Sequence, residues 1–377
     1  MAKTVVILGG SLGGLHVAHA LLKKGDKDLK VVLVTKNTHF YWNLAAVRAI
    51  IPGQIKDEDI FKPLESALSR YPAESWELVI GTASAANFDN NTVEVVISAD
   101  NSSRTFSYDH LVLATGARCP SSTVPWKAMG SYDEAIDNLH TTTARVKDAQ
   151  SIVVAGAGST GIEVAGELGY EYGKTKNITL LCSGDQVLGG TSAASAAANE
   201  LKKLNVNIKY GAFVKESRPN ATDKNKTDVV LADGEVILTD VYLPTTGLIP
   251  NTEYIPARYL SADPNYRTVL VNDFLQVEGT KNVWACGDVV SKPRAGFFIT
   301  QKQAASVARN VQAALAGQEP AVAKGPPVDI FACSVGRDRG VGRINDKIKL
   351  PSLMVWLAKG RTLALQMIPG YIDGSVA

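Results

Sequence analysis

The chain reads as an α/β protein of alternating strands and helices, and three observations predict that class. An apolar run, Val5-Val6-Ile7-Leu8, leads directly into the glycine turn Gly9-Gly10-Ser11-Leu12-Gly13-Gly14, and Leu15, Ala18 and Leu22 follow at helix spacing. The same order returns as Ile152-Val153-Val154-Ala155, Gly156-Ala157-Gly158-Ser159-Thr160-Gly161 and a helix over 162–168. In each copy a second strand ends 21 residues after the last glycine, at Thr35 and at Cys182. Strand, glycine turn and helix together set a helix N-terminus against a pyrophosphate. The repeated unit therefore predicts two Rossmann-like dinucleotide-binding domains with parallel sheets.

In the first unit Gly9 permits the tight turn, position 11 must be small for close approach to phosphate, and Gly14 lets helix and strand pack. Position 11 is Ser11 where the pattern usually has glycine. Gly25 stops the first helix, and 29–34 supplies the second strand. An acid at that strand's end ordinarily binds a ribose hydroxyl. Here the residues are Thr35 and Lys36, either of which could hydrogen-bond ribose or pyrophosphate. The second unit lacks the acid too. Nothing near Cys182 would repel a 2′-phosphate and Ser183 could donate to one, a slight preference for NADPH over NADH.

The aromatic cluster His39-Phe40-Tyr41-Trp42-Asn43 leads into 44–51, which carries Arg48. This segment is either a packed loop and short helix or a wall beside a cofactor ring and its phosphates. Residues 56–59 are a solvated face. Strands over 76–80 and 92–97, joined through the turn residues 87–91, form a small antiparallel meander. A buried strand over 108–116 ends in Ala114-Thr115-Gly116. Beyond the second unit, 189–198 reads as a small-residue helix and 202–210 as a strand. Residues 217–228 form a hairpin tip, and a strand over 236–246 ends near Gly247. A strand over 280–288 closes on Gly287-Asp288, placing a carboxylate where a strand's end meets a ligand. A long helix spans 297–316, with Gln301 and Gln303 in its first turns and Gly317 just beyond. In the tail, Pro351 starts and Gly360 stops a helix with the apolar stripe Leu350, Leu353, Met354 and Leu357. Lys347, Lys349, Lys359 and Arg361 flank it, so it either docks on the protein's own core or makes a basic amphipathic contact with a membrane surface.

At 377 residues the chain exceeds the roughly 250–300 at which a single core stops growing, so two or three domains are expected. Hydrophobic content of 45%, charged content of 20% and a net charge of +2 describe an ordinary soluble protein with no electrostatic case for nucleic acid. The four cysteines form no C-x-x-C pair and the five histidines no ligand spacing with them, which disfavours a redox disulfide of the adjacent type and a metal site. Apolar runs fall far short of the ~20 residues that span a bilayer. A first strand at Thr4 leaves no room for a secretory leader, Ala2 excludes N-myristoylation, and the expected location is cytoplasmic.

The motifs at 9–14, 114–116, 156–161 and 285–288 stand in the order seen in flavoproteins with two dinucleotide-binding domains. Within that group the whole chain most resembles the apoptosis-inducing-factor-homologous and ferroptosis-suppressor-type NAD(P)H:quinone oxidoreductases, including their fungal relatives. The segment 40–48 and the tail from Gly336-Arg337-Asp338-Arg339-Gly340 through Leu353-Met354-Val355-Trp356-Leu357-Ala358-Lys359 take part in the likeness. The resemblance implies a pyridine nucleotide-disulfide oxidoreductase-like fold. Its FAD-binding domain would comprise 1–118 and 254–320, its NAD(P)H-binding domain 119–253, and a small C-terminal segment 321–377.

It further implies that Gly9, Gly10, Ser11, Leu12, Gly13 and Gly14 cradle the FAD pyrophosphate, with Lys36, Thr115 and Gly116 also at the cofactor. Arg48 would sit by the flavin and its phosphates, Ala83 would offer backbone to adenine, and Asp288 would bind the ribityl chain. Gly156, Gly158, Ser159, Thr160, Gly161 and Gly247 would hold NADH or NADPH. Glu163 would reach towards the nicotinamide, as an orienter of its carboxamide, unless it is simply a helix-face carboxylate paired with a surface lysine. Lys359 matches a tail lysine near the active site.

Flavin would carry the redox chemistry. The helix N-terminus at 300–303 could stabilise negative charge on its reduced form. Without a C-x-x-C pair, electrons would leave for a diffusible acceptor, and a quinone or another small molecule fits. Peripheral membrane contact through 347–361 and a homodimer are further expectations. Two other readings are a flavin oxidoreductase of a specialised small-molecule pathway, with oxygen as an alternative acceptor, and a redox-sensing apoptosis-inducing-factor-like binding protein.

Overall fold

Apolar runs flanked by glycine turns leave the chain little choice but buried parallel strands with helices packed over them. A computed structural model describes residues 2–263, 266–290, 296–325 and 328–377. β1 (Lys3–Leu8) is buried along its last four residues, α1 (Leu12–Leu22) follows the glycine turn, and β2 (Leu29–Thr35) lies parallel to β1. The segment carrying Arg48 forms a single buried helical turn, α2 (Ala46–Ala49). The strand expected at 76–80 continues further: β3 (Trp76–Asn87) pairs parallel with β2 as far as Ile80. From Gly81 it pairs antiparallel with β4 (Thr92–Ile97), and β4 pairs in turn with β5 (Ser103–Ser107). β6 (His110–Leu113) lies on the other side of β1.

After the helix α3 (Tyr132–Asp148), the second unit repeats the first as β7 (Ser151–Ala155), α4 (Ser159–Tyr172) and β8 (Asn177–Leu181). The helix expected over 189–198 is shorter at its start. Gly189 and Gly190 take left-handed φ of +62° and +74°, and α5 is Ala194–Lys203. Its last turn uses Lys202 and Lys203, so the next strand, β9, is only Val206–Lys209. The hairpin tip expected over 217–228 is only 220–226, because β10 (Val214–Pro219) and β11 (Thr227–Leu231) extend into both its ends. The strand expected over 236–246 is two strands, β12 (Val236–Thr239) and β13 (Val241–Pro244), in different sheets. Asp240 breaks them apart, because its carboxylate accepts from the Gln150 and Ser151 amides and the Ser151 hydroxyl at 2.8–2.9 Å.

β14 (Val283–Ala285) completes a seven-stranded sheet in the order β14-β6-β1-β2-β3-β4-β5, while β9-β8-β7-β13 form an all-parallel four-stranded sheet. α6 (Phe297–Leu315) packs along α1. The tail is an antiparallel sheet of β15 (Ile330–Val335), β16 (Arg339–Ile344) and β17 (Ile348–Leu350), then α7 (Ser352–Val355). The expected helix to Gly360 is therefore α-helical only in its first turn, and Trp356–Gly360 winds on as a π turn closed by Arg361 N–H to Trp356 O, 2.8 Å. Nor does its apolar stripe dock on the core. Val355 packs inward against Gly340 and Gly342, leaving Leu353, Met354 and Leu357 exposed by 64%, 56% and 51%. No helix among the described residues is long and apolar enough to cross a membrane.

α1 also buries His16 and His19, and the Nδ1 of His16 and the Nε2 of His19 have no partner. Burial, assisted by nearby cations, holds both imidazoles down to about 4 from 6.5. As pH falls below 6.5 the unfolded chain binds these protons and the folded chain does not, so stability drops by up to about 1.4 kcal/mol per pH unit for each histidine until about pH 4. Urea unfolding should accordingly show a lower midpoint at pH 5 than at pH 7, and a smaller difference in His16→Leu. An unchanged difference in that variant would remove His16 from the account.

Candidate active site

The two glycine turns are stereochemical copies. Gly9 and Gly156 take φ of +109° and +105°, and a Cβ on Gly14 or Gly161 would lie 1.8 or 1.7 Å from the carbonyl oxygen of Gly9 or Gly156. These four glycines are therefore required by close packing of strand, turn and helix. Gly158 differs, since a Cβ there would meet nothing within 4 Å. Its bare backbone is open to whatever approaches the α4 N-terminus.

A cavity of about 1050 Å³ runs from the first turn, across the carboxyl ends of both sheets, to the tail. Gly9, Gly10, Ser11, Leu12 and Gly13 line it, as do Lys36, Ala83, Thr115, Gly116 and Asp288. From the second unit come Ser159, Thr160, Glu163 and Gly247, and from the tail Lys359. Gly14, Gly156, Gly158 and Gly161 are not among the lining residues; three of them shape the turns from behind. The α6 N-terminus reaches the cavity through Phe297, Phe298 and Thr300, whereas the Gln303 carboxamide turns away to accept the Gly287 amide at 2.8 Å.

Arg48 takes a place behind the cavity wall. It is buried and does not line the cavity. Its guanidinium donates through Nε and Nη2 to Glu167 Oε1 (2.9 and 2.7 Å) and to the carbonyls of Gly360 (2.7 Å) and Arg361 (3.0 Å). The pull is electrostatic: Glu167 is fully buried on α4 with its other oxygen facing Arg337, 3.4 Å away. Burial still leaves the Glu167 carboxyl above its ordinary value. A buried carboxylate left unpaired costs about 3–5 kcal/mol, which is why this arginine is spent on packing.

Glu163, one helical turn before Glu167, is also buried rather than part of a surface pair. Its Oε1 lies 2.6 Å from Lys359 Nζ and accepts the Ser334 amide at 3.0 Å. Burial opposes the charge on Lys359, but the neighbouring Glu163 carboxylate outweighs it and holds the ammonium above the usual lysine range. The two residues expected to be catalytic, 196 positions apart, thus meet at one cavity wall.

Some cavity residues carried no pattern in the sequence. Lys127, which lines the cavity, pairs with Asp288 at 2.7 Å. A lone lysine among prolines and serines gives no spacing to find it by. Asn251 clasps the Ala-Thr-Gly turn, donating to Thr115 O (2.9 Å) and accepting the Thr115 hydroxyl on its own carbonyl (2.8 Å). The Pro250-Asn251 dipeptide marks a turn but not this partnership. All four cysteines are free and buried.

Two duplicated pyrophosphate turns, one cavity across both and no disulfide define a flavin- and nicotinamide-binding oxidoreductase. The chain belongs to the pyridine nucleotide-disulphide oxidoreductase family, whose model matches residues 3–315. Its cofactors are FAD and a nicotinamide nucleotide. Oxidoreductase ptaL of Pestalotiopsis fici is 35% identical over 99% of this chain and all of its own length. Ferroptosis suppressor protein 1 of Mus musculus is 27% identical over 97% of this chain and 94% of its own. Among solved structures, the sulfide:quinone oxidoreductase of Aquifex aeolicus superposes with a TM-score of 0.77 at 18% identity, covering all of this chain and 93% of that one, which shows the shared fold.

The contrast between glycines is testable. Gly161→Ala should fail to fold or melt at least several degrees lower, while Gly158→Ala should fold normally and raise KM for NAD(P)H. Equal melting temperatures for the two variants would contradict the packing argument. Asp288→Ala should purify with much less flavin than the parent, read from the visible absorbance per protein.

Proposed function

We propose that the chain is an NAD(P)H:quinone oxidoreductase. The carrying observation is the buried Glu163–Lys359 pair on the cavity wall of a chain whose cysteines are all free and buried. Bound FAD would supply the redox chemistry, hydride acceptance and two-electron donation. The turn 9–14 would hold its pyrophosphate at the α1 N-terminus, Lys36 and Ala83 would take its adenosine part, and Asp288 would receive the ribityl hydroxyls. Thr115 and Gly116 support the same cofactor. Ser159, Thr160 and Gly247 hold NAD(P)H with the bare backbone of Gly158, and Glu163 orients its carboxamide.

Overall, NAD(P)H, a proton and a quinone become NAD(P)⁺ and a quinol. The Lys359 ammonium, kept charged by Glu163, provides a proton or a positive charge where the acceptor's oxygen gains electron density. Phe297, Phe298, Ile330 and Phe331 supply an apolar wall suited to the acceptor's ring. Outside the cavity, the exposed Leu353, Met354 and Leu357 with Lys347 and Lys349 suit peripheral contact with an anionic lipid surface, where apolar quinones partition. A second reading, a flavin oxidoreductase acting on a different small molecule, stands beside it because the more identical relative ptaL, at 35% against 27%, is named simply as an oxidoreductase.

Steady-state turnover with short-chain ubiquinone, compared with oxygen uptake, separates the two: faster quinone reduction supports the first, and no quinone reduction overturns it. In rapid-mixing experiments Glu163→Ala should slow flavin reduction while FAD content stays intact. Lys359→Met should slow reoxidation by quinone about 100-fold with flavin reduction retained. Because Glu163 is the main group offsetting burial at Lys359, with Cys333 adding to it, Glu163→Gln should move the alkaline loss of the acceptor step to lower pH. An alkaline limb at the same pH in parent and variant would detach Lys359 from that step.

A further inference from the structure

Three segments distant in sequence converge on one face of α4. Arg48 comes from α2 beside the first sheet, Glu163 and Glu167 from α4 of the second unit, and Lys359, Gly360 and Arg361 are consecutive in the tail. Two contacts hold these tail residues from opposite ends. Arg48 grips the carbonyls of Gly360 and Arg361, while Glu163 takes the ammonium of the residue just before them. The Glu163-to-Glu167 spacing is one rigid helical turn, so whatever fixes Glu167 to Gly360 also fixes how far Lys359 stands from Glu163. Arg337 braces the same corner: it faces Glu167, donates to Glu171 at 2.7 Å, and its carbonyl accepts the Trp356 indole N–H at 2.6 Å. The π turn at Trp356–Gly360 places Lys359 on this face, and a regular helix would rotate it elsewhere.

We infer that Arg48 and Glu167 are positioning residues, which hold the tail so that the Lys359 ammonium meets Glu163 at the cavity wall. This rests on the reading above only in giving Lys359 a task in the acceptor step. A guanidinium is required, because its fork reaches one carboxylate and two carbonyls at once, and a lysine at the same place offers a single point of charge.

The test uses flavin-loaded full-length protein and two independent readouts. The first is acylation of lysines by N-acetoxysuccinimide, followed by mass spectrometry with the exposed Lys347 and Lys349 as internal standards. Arg48→Lys should label Lys359 at least about tenfold faster than the parent relative to those standards, as should Glu167→Gln, while flavin content stays at the parent level. The second is reoxidation of the reduced flavin by short-chain ubiquinone in Arg48→Lys, Lys359→Met and the double variant. Arg48→Lys should slow the parent about tenfold and change Lys359→Met by less than about twofold, the non-additivity of residues acting through one another.

Unchanged Lys359 labelling in both Arg48→Lys and Glu167→Gln, or an equal fold-loss in parent and Lys359→Met, would overturn the inference. Loss of flavin from Arg48→Lys would overturn it too and return Arg48 to the cofactor. Should quinone fail to reoxidise even the parent, the proposed function fails, and the labelling contrast still decides whether Arg48 positions Lys359.

Discussion

Charge buried on one helix holds the rest of the structure to its purpose. α4 carries Glu163 and Glu167 away from water, and neither carboxylate is affordable there without a cation brought from another part of the chain. Lys359 answers the first and Arg48 with Arg337 the second. Meeting that demand draws the first unit, the second unit and the tail onto one surface. The tail end of the cavity is therefore a product of electrostatic necessity as much as of hydrophobic packing.

The nucleotide turns obey a different constraint, backbone proximity. Gly9 with Gly14, and Gly156 with Gly161, let each helix start directly over its strand. Backbone amides at the α1 and α4 N-termini then face the cavity, a geometry that favours anionic phosphates without a dedicated cation. This explains how two units lacking the ribose acid can still be nucleotide-binding. In the first unit Thr35 and Lys36 line the cavity where that acid would stand. Around them Asn251 fastens the Ala-Thr-Gly turn, and Lys127 bridges to Asp288.

What the sequence made legible is what depends on neighbours close in the chain. Both glycine turns, the strands that feed them, the meander after Trp76 and the carboxylate at Asp288 follow from local pattern, since turn stereochemistry and apolar alternation act over a few residues. The break at Asp240 and the seating of Trp356 each rest on a partner from elsewhere, Ser151 and Arg337, and periodicity has no access to such partners. Arg48 is the sharpest instance. The resemblance puts it by the flavin and its phosphates, while its buried partner Glu167 lies 119 positions away, where no local pattern reaches. The outward stripe Leu353, Met354 and Leu357 was equally ambiguous, because an amphipathic pattern says which residues share a face and not what that face meets.

On the proposed reading, reducing equivalents reside on flavin alone and leave it directly, with no thiol relay in between. Anaerobic titration of the purified, flavin-loaded protein with dithionite tests this most directly. The account predicts that two electrons per flavin bleach the visible band completely and that no further uptake follows. Uptake of four electrons per flavin, with a charge-transfer band at the halfway point, would reveal a redox-active disulfide and contradict it.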